Sequence, residues 1–209
     1  MVDFIDSYMH GGVTTMISAG ESHVPGKASD ATMMKALAIL CAKSFANYRP
    51  SGVKVHGGAL ILEPGLTEKD FEEMARAGVK LVGEIGLGKI KEPEEARPMV
   101  EWAKKYGMTV MIHCGGSSVP GSATMGVDKI IQINPHIVSH VNGGPTAIPV
   151  GDVEQLIQET SFALEIVQCG NPRVAVEALK MATAAGALDR IIIGNDAPSG
   201  TGVIPLGVL

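Results

Sequence analysis

The sequence predicts an α/β fold, and more narrowly an incomplete (β/α)8 barrel of the TIM type. Short apolar runs alternate along the chain with segments of helical periodicity, which is typical of parallel sheets and barrels. Four of these runs end in a residue that can bind a metal ion, and a turn former follows within two residues. These four residues are Glu84, His113, His140 and Asp196. Because chemistry in such barrels sits at the carboxyl ends of the strands, we expect the four side chains to converge on one mouth.

Local start and stop signals define the predicted helices. Asp30 is an N-cap residue, and Thr67 with Asp70 three residues later is a variant of the capping box. Pro93 and Pro172 suit the first turn of a helix, and glycines such as Gly107 suit the position after the last turn. The predicted helices cover residues 2–10, 31–47, 68–77, 93–106, 127–134, 152–160 and 172–185.

Seven strands are predicted between these helices, where apolar and β-branched residues cluster. They cover residues 13–18, 53–62, 79–84, 108–113, 137–141, 162–169 and 190–194. A closed barrel needs eight strands. The chain begins on a predicted helix and ends at Leu209, where a last helix is expected to start. We therefore expect one barrel domain over 1–209, truncated at both ends, with strands 2–8 present and the first strand and last helix absent.

Composition favours a small-molecule enzyme over a nucleic-acid or membrane protein. The net charge is -5, and acidic and basic residues are interspersed, so no surface for nucleic acid or anionic lipid is indicated. The three cysteines show no metal-binding or redox spacing. No signal peptide or long apolar span is recognisable, so we expect a cytoplasmic protein.

The four strand-end residues favour a metal site over a purely structural role. His113 and His140 close consecutive strands, and imidazoles held in this way bind zinc or a similar divalent ion. Glu84 can bridge two ions, and Asp196 can both bind metal and accept a proton from water. His136 lies four residues before His140, but on a strand this places it at the amino end, away from the mouth.

Other residues are candidates for substrate binding, each with a structural alternative. Lys54 and His56 alternate along one strand and share a face, where they could bind an anionic or carbonyl group, although His56 suits a buried structural histidine equally well. The glycine loops at Gly115 and Gly143 could offer backbone N–H groups, and phosphate binding is disfavoured there because no lysine accompanies them. Cys169 is a weaker candidate, since such cysteines are more often small core residues.

Five long segments resemble the enamidases of the amidohydrolase superfamily. They are HGGVTTMISAG (10–20), GVKVHGGA (52–59), SHVNGGPTAI (139–148), EIVQCGNP (165–172) and GNDAPSGTG (194–202). The resemblance implies a centre of two divalent ions, zinc or iron, in which Glu84 is the bridging carboxylate. It makes His113 and His140 ligands of one ion, and Asp196 the last ligand and the catalytic base. The His-x-His pair that would hold the other ion does not occur in this sequence, and we expect it on the missing first strand.

The activity implied by the resemblance is hydrolysis of a C–N bond in a cyclic amide. The expected substrate is 6-oxo-1,4,5,6-tetrahydronicotinate, an intermediate of nicotinate degradation, which is opened to 2-formylglutarate and ammonia. Substrate contacts are expected from Lys54, His56, Gly115, Gly143 and Cys169. The alternatives are a related cyclic amidase of the dihydroorotase or imidazolonepropionase kind, and an inactive fragment. The family tends to form homo-oligomers, so one is expected of the full-length protein, and no turnover is expected of this chain alone.

Overall fold

The structure is a computed structural model, and it describes residues 9, 11–20, 30–117, 121–143, 146–196. The helix predicted over 2–10 lies outside the described residues except for Met9, and so does the chain after Asp196. Within the described residues, no helix is both long and apolar enough to cross a membrane.

Strands and helices alternate through the described chain, as the sequence predicts. The strands are β1 Thr15–Ile17, β2 Lys54–His56, β3 Leu81–Ile85, β4 Thr109–Ile112, β5 Ile137–Val138, β6 Ala163–Val167 and β7 Ile191–Gly194. The helices are α1 Ala31–Asn47, α2 Glu68–Arg76, α3 Pro93–Lys105, α4 Val127–Ile133, α5 Val150–Glu159 and α6 Pro172–Ala184. Short 3-10 turns cover Pro50–Gly52 and Leu188–Arg190. All pairings between these strands are parallel, which confirms the α/β barrel type as a partial barrel.

The sheet is divided more than the sequence indicates. Strands β3 to β7 form one five-stranded sheet in chain order, and β1 with β2 forms a separate pair. An isolated parallel bridge joins Leu60, four residues after β2, to Val82 of β3. The strand predicted over 53–62 is therefore interrupted after His56. Gly58 explains the break, since its φ of +85° favours glycine and an added Cβ would lie 2.4 Å from the Ala38 carbonyl oxygen of α1.

The helix boundaries follow the local signals closely. The Asp30 carboxylate accepts the Met33 N–H at 2.9 Å, and the Thr67–Asp70 capping box is formed in both directions. Asn171 caps α6 by accepting the N–H of Arg173 at 2.9 Å. Helix α5 begins at Val150, two residues before its predicted start. These caps define the first residue of each helix, and so they set the length of the loop between the preceding strand and that helix.

The apolar core fills the space between the five-stranded sheet and its helices. Ile112 and Leu164 of the strands are buried together with Phe71, Ile130 and Leu156 of the helices. Each such side chain stabilises the fold by roughly 1.5–3 kcal/mol. The described buried polar or charged residues, by contrast, are few: Glu63, Glu84, His113, Ser139, His140 and Asn142. All except Glu63 lie at or shortly after the carboxyl end of β3, β4 or β5.

Candidate metal centre

Three ligand-type side chains from consecutive strand ends meet in one buried group. The ligand atoms of Glu84, His113 and His140 all lie within 4.8 Å of one another. Nε2 of His140 is 3.3 Å from Oε1 of Glu84 and 3.1 Å from Nδ1 of His113. The sequence predicts this convergence, because β3, β4 and β5 are neighbours in the sheet and each residue lies within two residues of the carboxyl end of its strand.

Glu84 lies at an irregularity of β3. The register between β3 and β4 shifts between Val82 and Ile85, and such a bulge changes the direction of the side chains at its position. The Glu84 N–H donates to the Ala19 carbonyl at 3.0 Å instead of to a strand neighbour. Gly83 permits this approach, since an added Cβ would lie 2.2 Å from the same carbonyl oxygen. The glycine before Glu84 is therefore part of how the carboxylate is placed.

His113 is held as a neutral ring with one defined tautomer. Its Nε2 is 2.7 Å from the Gly116 carbonyl oxygen, which can only accept a hydrogen bond, so Nε2 carries the proton. Burial, and then the nearby charge of His140, lower the pKa of His113. The lone pair of Nδ1 is left facing the His140 ring. In metal sites, a hydrogen bond from the ring nitrogen that does not bind the ion, like the one from Nε2 of His113 to Gly116, orients the histidine ligand.

His140 carries a proton in the absence of a cation. Burial lowers its pKa, but contacts with Cys114 and with the carboxylate of Glu84 outweigh burial and raise the pKa of His140 to about 11. Burial also acts against the charged form of Glu84, yet the His140 imidazolium keeps the pKa of Glu84 below its usual value. The centre thus holds one positive charge between a carboxylate and a neutral imidazole.

This donor set fits a divalent metal ion. One carboxylate oxygen and two imidazole nitrogens are ligands common to zinc, iron and manganese sites. The buried carboxylate needs a positive charge nearby, and the proton of His140 supplies it in this structure. An ion taking the place of that proton would meet the lone pairs of His113 and His140 together with Glu84.

Asp196, predicted as the fourth ligand, lies outside this group but close to it. It is partly buried, and its φ of +52° places it in the left-handed region directly after β7. Its charge acts on two neighbours: after burial, it is the next largest influence that raises the pKa of Cys169, and it also raises the pKa of Glu165. Cys169 therefore lies near Asp196, and its contact with substrate stays a prediction.

Comparison with known proteins gives one strong relative. The chain is 61% identical over 208 residues to enamidase of Eubacterium barkeri, a match that covers 100% of this chain and 54% of the relative. It also superposes on the solved structure of an enamidase, described as a new member of the amidohydrolase superfamily, with a TM-score of 0.93 and 61% identity over 98% of this chain and 53% of that chain. No family model matches the chain.

The chain is similar to enamidase over its whole length. It spans about half the length of the curated relative that it matches. This similarity confirms the resemblance to the amidohydrolase superfamily that the sequence segments indicate, and it confirms the barrel fold.

Two predicted substrate groups are not brought to the centre. Lys54 is exposed on β2, and the charges that act on His56 are those of Lys54 and Lys80. Burial is the first cause that lowers the pKa of His56, and both lysines act in the same direction. Lys80 directly precedes β3, whereas Glu84 lies near its carboxyl end. Contact of Lys54 and His56 with an enamidase-type substrate stays a prediction without structural support.

The glycine N–H groups predicted to bind an anion already have partners. The Gly115 N–H donates to Met125 at 2.8 Å, the Gly116 N–H donates to Thr146 at 3.2 Å, and the Gly143 N–H donates to His140 at 2.6 Å. Gly115 is needed for packing instead, because an added Cβ would overlap the Thr146 carbonyl. These N–H groups are therefore already hydrogen-bonded to the protein, and substrate contact by Gly115 and Gly143 stays a prediction.

Two residues at the centre have roles that the sequence did not indicate. The Glu165 carboxylate accepts the backbone N–H of His140 at 3.2 Å. The Asn142 side chain donates to the Val167 carbonyl at 3.0 Å and accepts the Val167 N–H at 2.8 Å, which ties the loop after β5 to β6. A glutamate inside an otherwise apolar strand is the signal that could have identified Glu165. His136, as predicted, lies away from the centre, where its Nδ1 accepts the Val110 N–H at 3.0 Å.

Proposed function

We propose that the protein containing this chain hydrolyses the C–N bond of a cyclic amide. The specific reaction is ring opening of 6-oxo-1,4,5,6-tetrahydronicotinate to 2-formylglutarate and ammonia, a step of nicotinate degradation. The observation that carries the proposal is 61% identity to enamidase across the whole chain. The buried group of Glu84, His113 and His140 supports it, because it offers the ligands that a hydrolytic metal ion needs.

In this proposal, Glu84, His113 and His140 hold a divalent ion, zinc or iron. A bound divalent ion polarises a carbonyl oxygen and lowers the pKa of water, which is the chemistry that amide hydrolysis requires. The residues contribute by their fixed orientation: the Gly116 carbonyl fixes the tautomer of His113, and the register shift in β3 fixes the direction of the Glu84 side chain. The second carboxylate oxygen of Glu84 would allow it to bridge to the second ion that the resemblance implies.

Asp196 is the proposed catalytic base. Its carboxylate would accept a proton from the attacking water and deliver it to the departing ring nitrogen. The position of Asp196 after β7, beside Cys169 and Glu165, supports this role, since its charge already acts on both neighbours. Hydrolysis of the lactam consumes one water, and release of ammonia from the resulting enamine consumes a second and leaves the aldehyde.

The same proposal covers the setting in which the protein works. We propose a small-molecule enzyme of the cytoplasm that forms a homo-oligomer, as the resemblance implies. The acidic net charge of -5, spread along the chain, supports a small-molecule substrate over nucleic acid. Cys169 is a proposed substrate contact, and the influence of the Asp196 charge on its thiol supports this role.

The test is ammonia release by the purified, metal-loaded protein expressed from its whole gene. We expect turnover of 6-oxo-1,4,5,6-tetrahydronicotinate with one ammonia for each 2-formylglutarate formed. Dihydroorotate and imidazolonepropionate, offered at the same concentration, are expected to react more slowly. Faster turnover of either compound would replace the proposed substrate. Absence of turnover of all three by a metal-loaded, folded protein would contradict the proposed reaction class.

A further inference from the structure

Glu165 is a half-buried acid that contacts the main chain of His140 and that the proposed chemistry does not use. It lies on β6, between the apolar residues Leu164 and Ile166, and burial raises its pKa. An acid in this position costs stability unless it makes compensating contacts. Its contacts therefore indicate what it does.

Those contacts are to the main chain at His140. Oε2 of Glu165 accepts the His140 N–H at 3.2 Å, and the Glu165 carbonyl accepts the next N–H, that of Val141, at 2.9 Å. The His140 backbone has a φ of +35°, a left-handed conformation that is strained for a residue with a Cβ. One residue of β6 thus satisfies two successive N–H groups where β5 leaves its extended path.

The other side of the carboxylate is fixed by Gly194 of β7. A Cβ added at Gly194 would lie 2.1 Å from Oε1 and 2.9 Å from the carboxyl carbon of Glu165. The backbone φ of Gly194 is outside the left-handed region, so glycine is not needed there for its own conformation. Its lack of a side chain makes room for the Glu165 carboxylate.

We propose that Glu165 is a positioning residue for the metal centre: it holds the strained turn at His140 and so directs the His140 imidazole toward Glu84 and His113. Gly194 is the second part of the device, because it leaves space for the carboxylate. The inference rests on the proposed metal role of His140 and extends it to residues that do not touch the ion. Groups that orient a metal ligand in this indirect way typically contribute 10–100-fold to metal affinity.

The test measures metal affinity by chelator competition in the protein expressed from its whole gene. Glu165→Ala should weaken binding about 10–100-fold. Glu165→Gln keeps an oxygen acceptor for the His140 N–H and should stay near the wild-type affinity. Glu63→Gln, at a buried carboxylate outside the group, is the matched control and should bind normally. Thermal unfolding of the metal-free proteins reports whether each variant is folded.

Gly194→Ala supplies an independent variant in which Glu165 is retained. Its methyl group should displace the carboxylate and weaken metal binding in the wild-type background, but have little further effect when residue 165 is alanine. Wild-type affinity in a folded Glu165→Ala protein would overturn the proposal, and so would additive effects of the two substitutions. Equal losses in Glu165→Gln and Glu165→Ala would also overturn it, because an oxygen acceptor for the His140 N–H is retained in the glutamine variant. Absence of metal binding by the wild-type protein would contradict the proposed function itself, and this outcome is distinct from a failure of the Glu165 proposal.

Discussion

Two regions of the chain share a sequence pattern but differ in their burial and in the residues that surround them. In both, a short apolar run carries histidine at or just after the strand: His56 on β2, and His113 and His140 after β4 and β5. His113 and His140 are buried in the five-stranded sheet and meet Glu84. His56 lies in the separate β1–β2 pair, where the charges that act on it come from lysines.

The difference shows that a ligand-type residue at a strand end forms a candidate metal site only where neighbouring strands place other ligand-type residues beside it. β3, β4 and β5 are consecutive in one sheet, so their ends deliver three ligands within hydrogen-bond range. The β2 strand ends at His56, before Gly57 and Gly58, and it belongs to a separate sheet. The two regions also differ in burial. Glu84 and His140 are buried, which strengthens their interaction, whereas Lys54 is exposed to solvent.

The largest effect is expected from the histidines of the buried region. His113→Ala and His140→Ala each remove one ligand, so turnover of the lactam should be lost while the far-ultraviolet circular dichroism spectrum is retained. His136→Ala is the matched control, since this histidine precedes β5 and lies outside the group. Near-normal turnover in either ligand variant would remove the distinction between the two regions.

Asp196 should show a smaller but still large effect on turnover. Asp196→Asn keeps an oxygen near the centre but loses the base, so kcat should fall by about two to four orders of magnitude, the usual share of general-base catalysis. Most of the metal should remain bound. Asp189→Asn, at an exposed carboxylate before the same strand, serves as the control and should have normal kcat. A large loss of metal with Asp196→Asn would make Asp196 mainly a ligand.

The pH dependence of stability should separate the two centre histidines in the metal-free protein. The pKa of His140 is raised to about 11, above its ordinary 6.5, so its stabilisation is complete below about pH 6.5 and lost as pH rises toward 11. The pKa of His113 is lowered, so folding loses stability there as pH falls below 6.5. Urea unfolding of wild type, His140→Gln and His113→Gln should show the two differences fading at opposite ends of the pH range. The same pH trend for both variants would contradict the assigned charge states.

The smallest effect is expected from the β2 region. Lys54→Ala and His56→Ala should change kcat/KM by no more than about twofold, the ordinary range of a substitution away from a site, equivalent to about 0.5 kcal/mol. Steady-state kinetics on the lactam measures this. A rise in KM of an order of magnitude with unchanged kcat would show that these residues bind substrate, as the sequence suggested, and that the two regions cooperate.

The sequence predicted the strands, most helix boundaries and the three converging ligands because each depends on local signals. Periodicity and caps such as Asp30 and Thr67 act within a few residues, and strand order then brings Glu84, His113 and His140 together. What it missed depends on distant contacts. The partners of the Gly115 and Gly143 N–H groups, the break at Gly58 and the contact from Glu165 to His140 are set by residues far along the chain or by the turn itself.

The most direct test of the account is the location of a bound ion by anomalous diffraction from crystals of the metal-loaded protein. The account predicts a peak bonded to Nδ1 of His113 and Nε2 of His140 at about 2.0–2.1 Å, with a Glu84 oxygen in contact, and Nε2 of His113 still donating to Gly116. A peak bonded to His56, a peak bonded through Nε2 of His113, or an ion that avoids Glu84, His113 and His140 would contradict it.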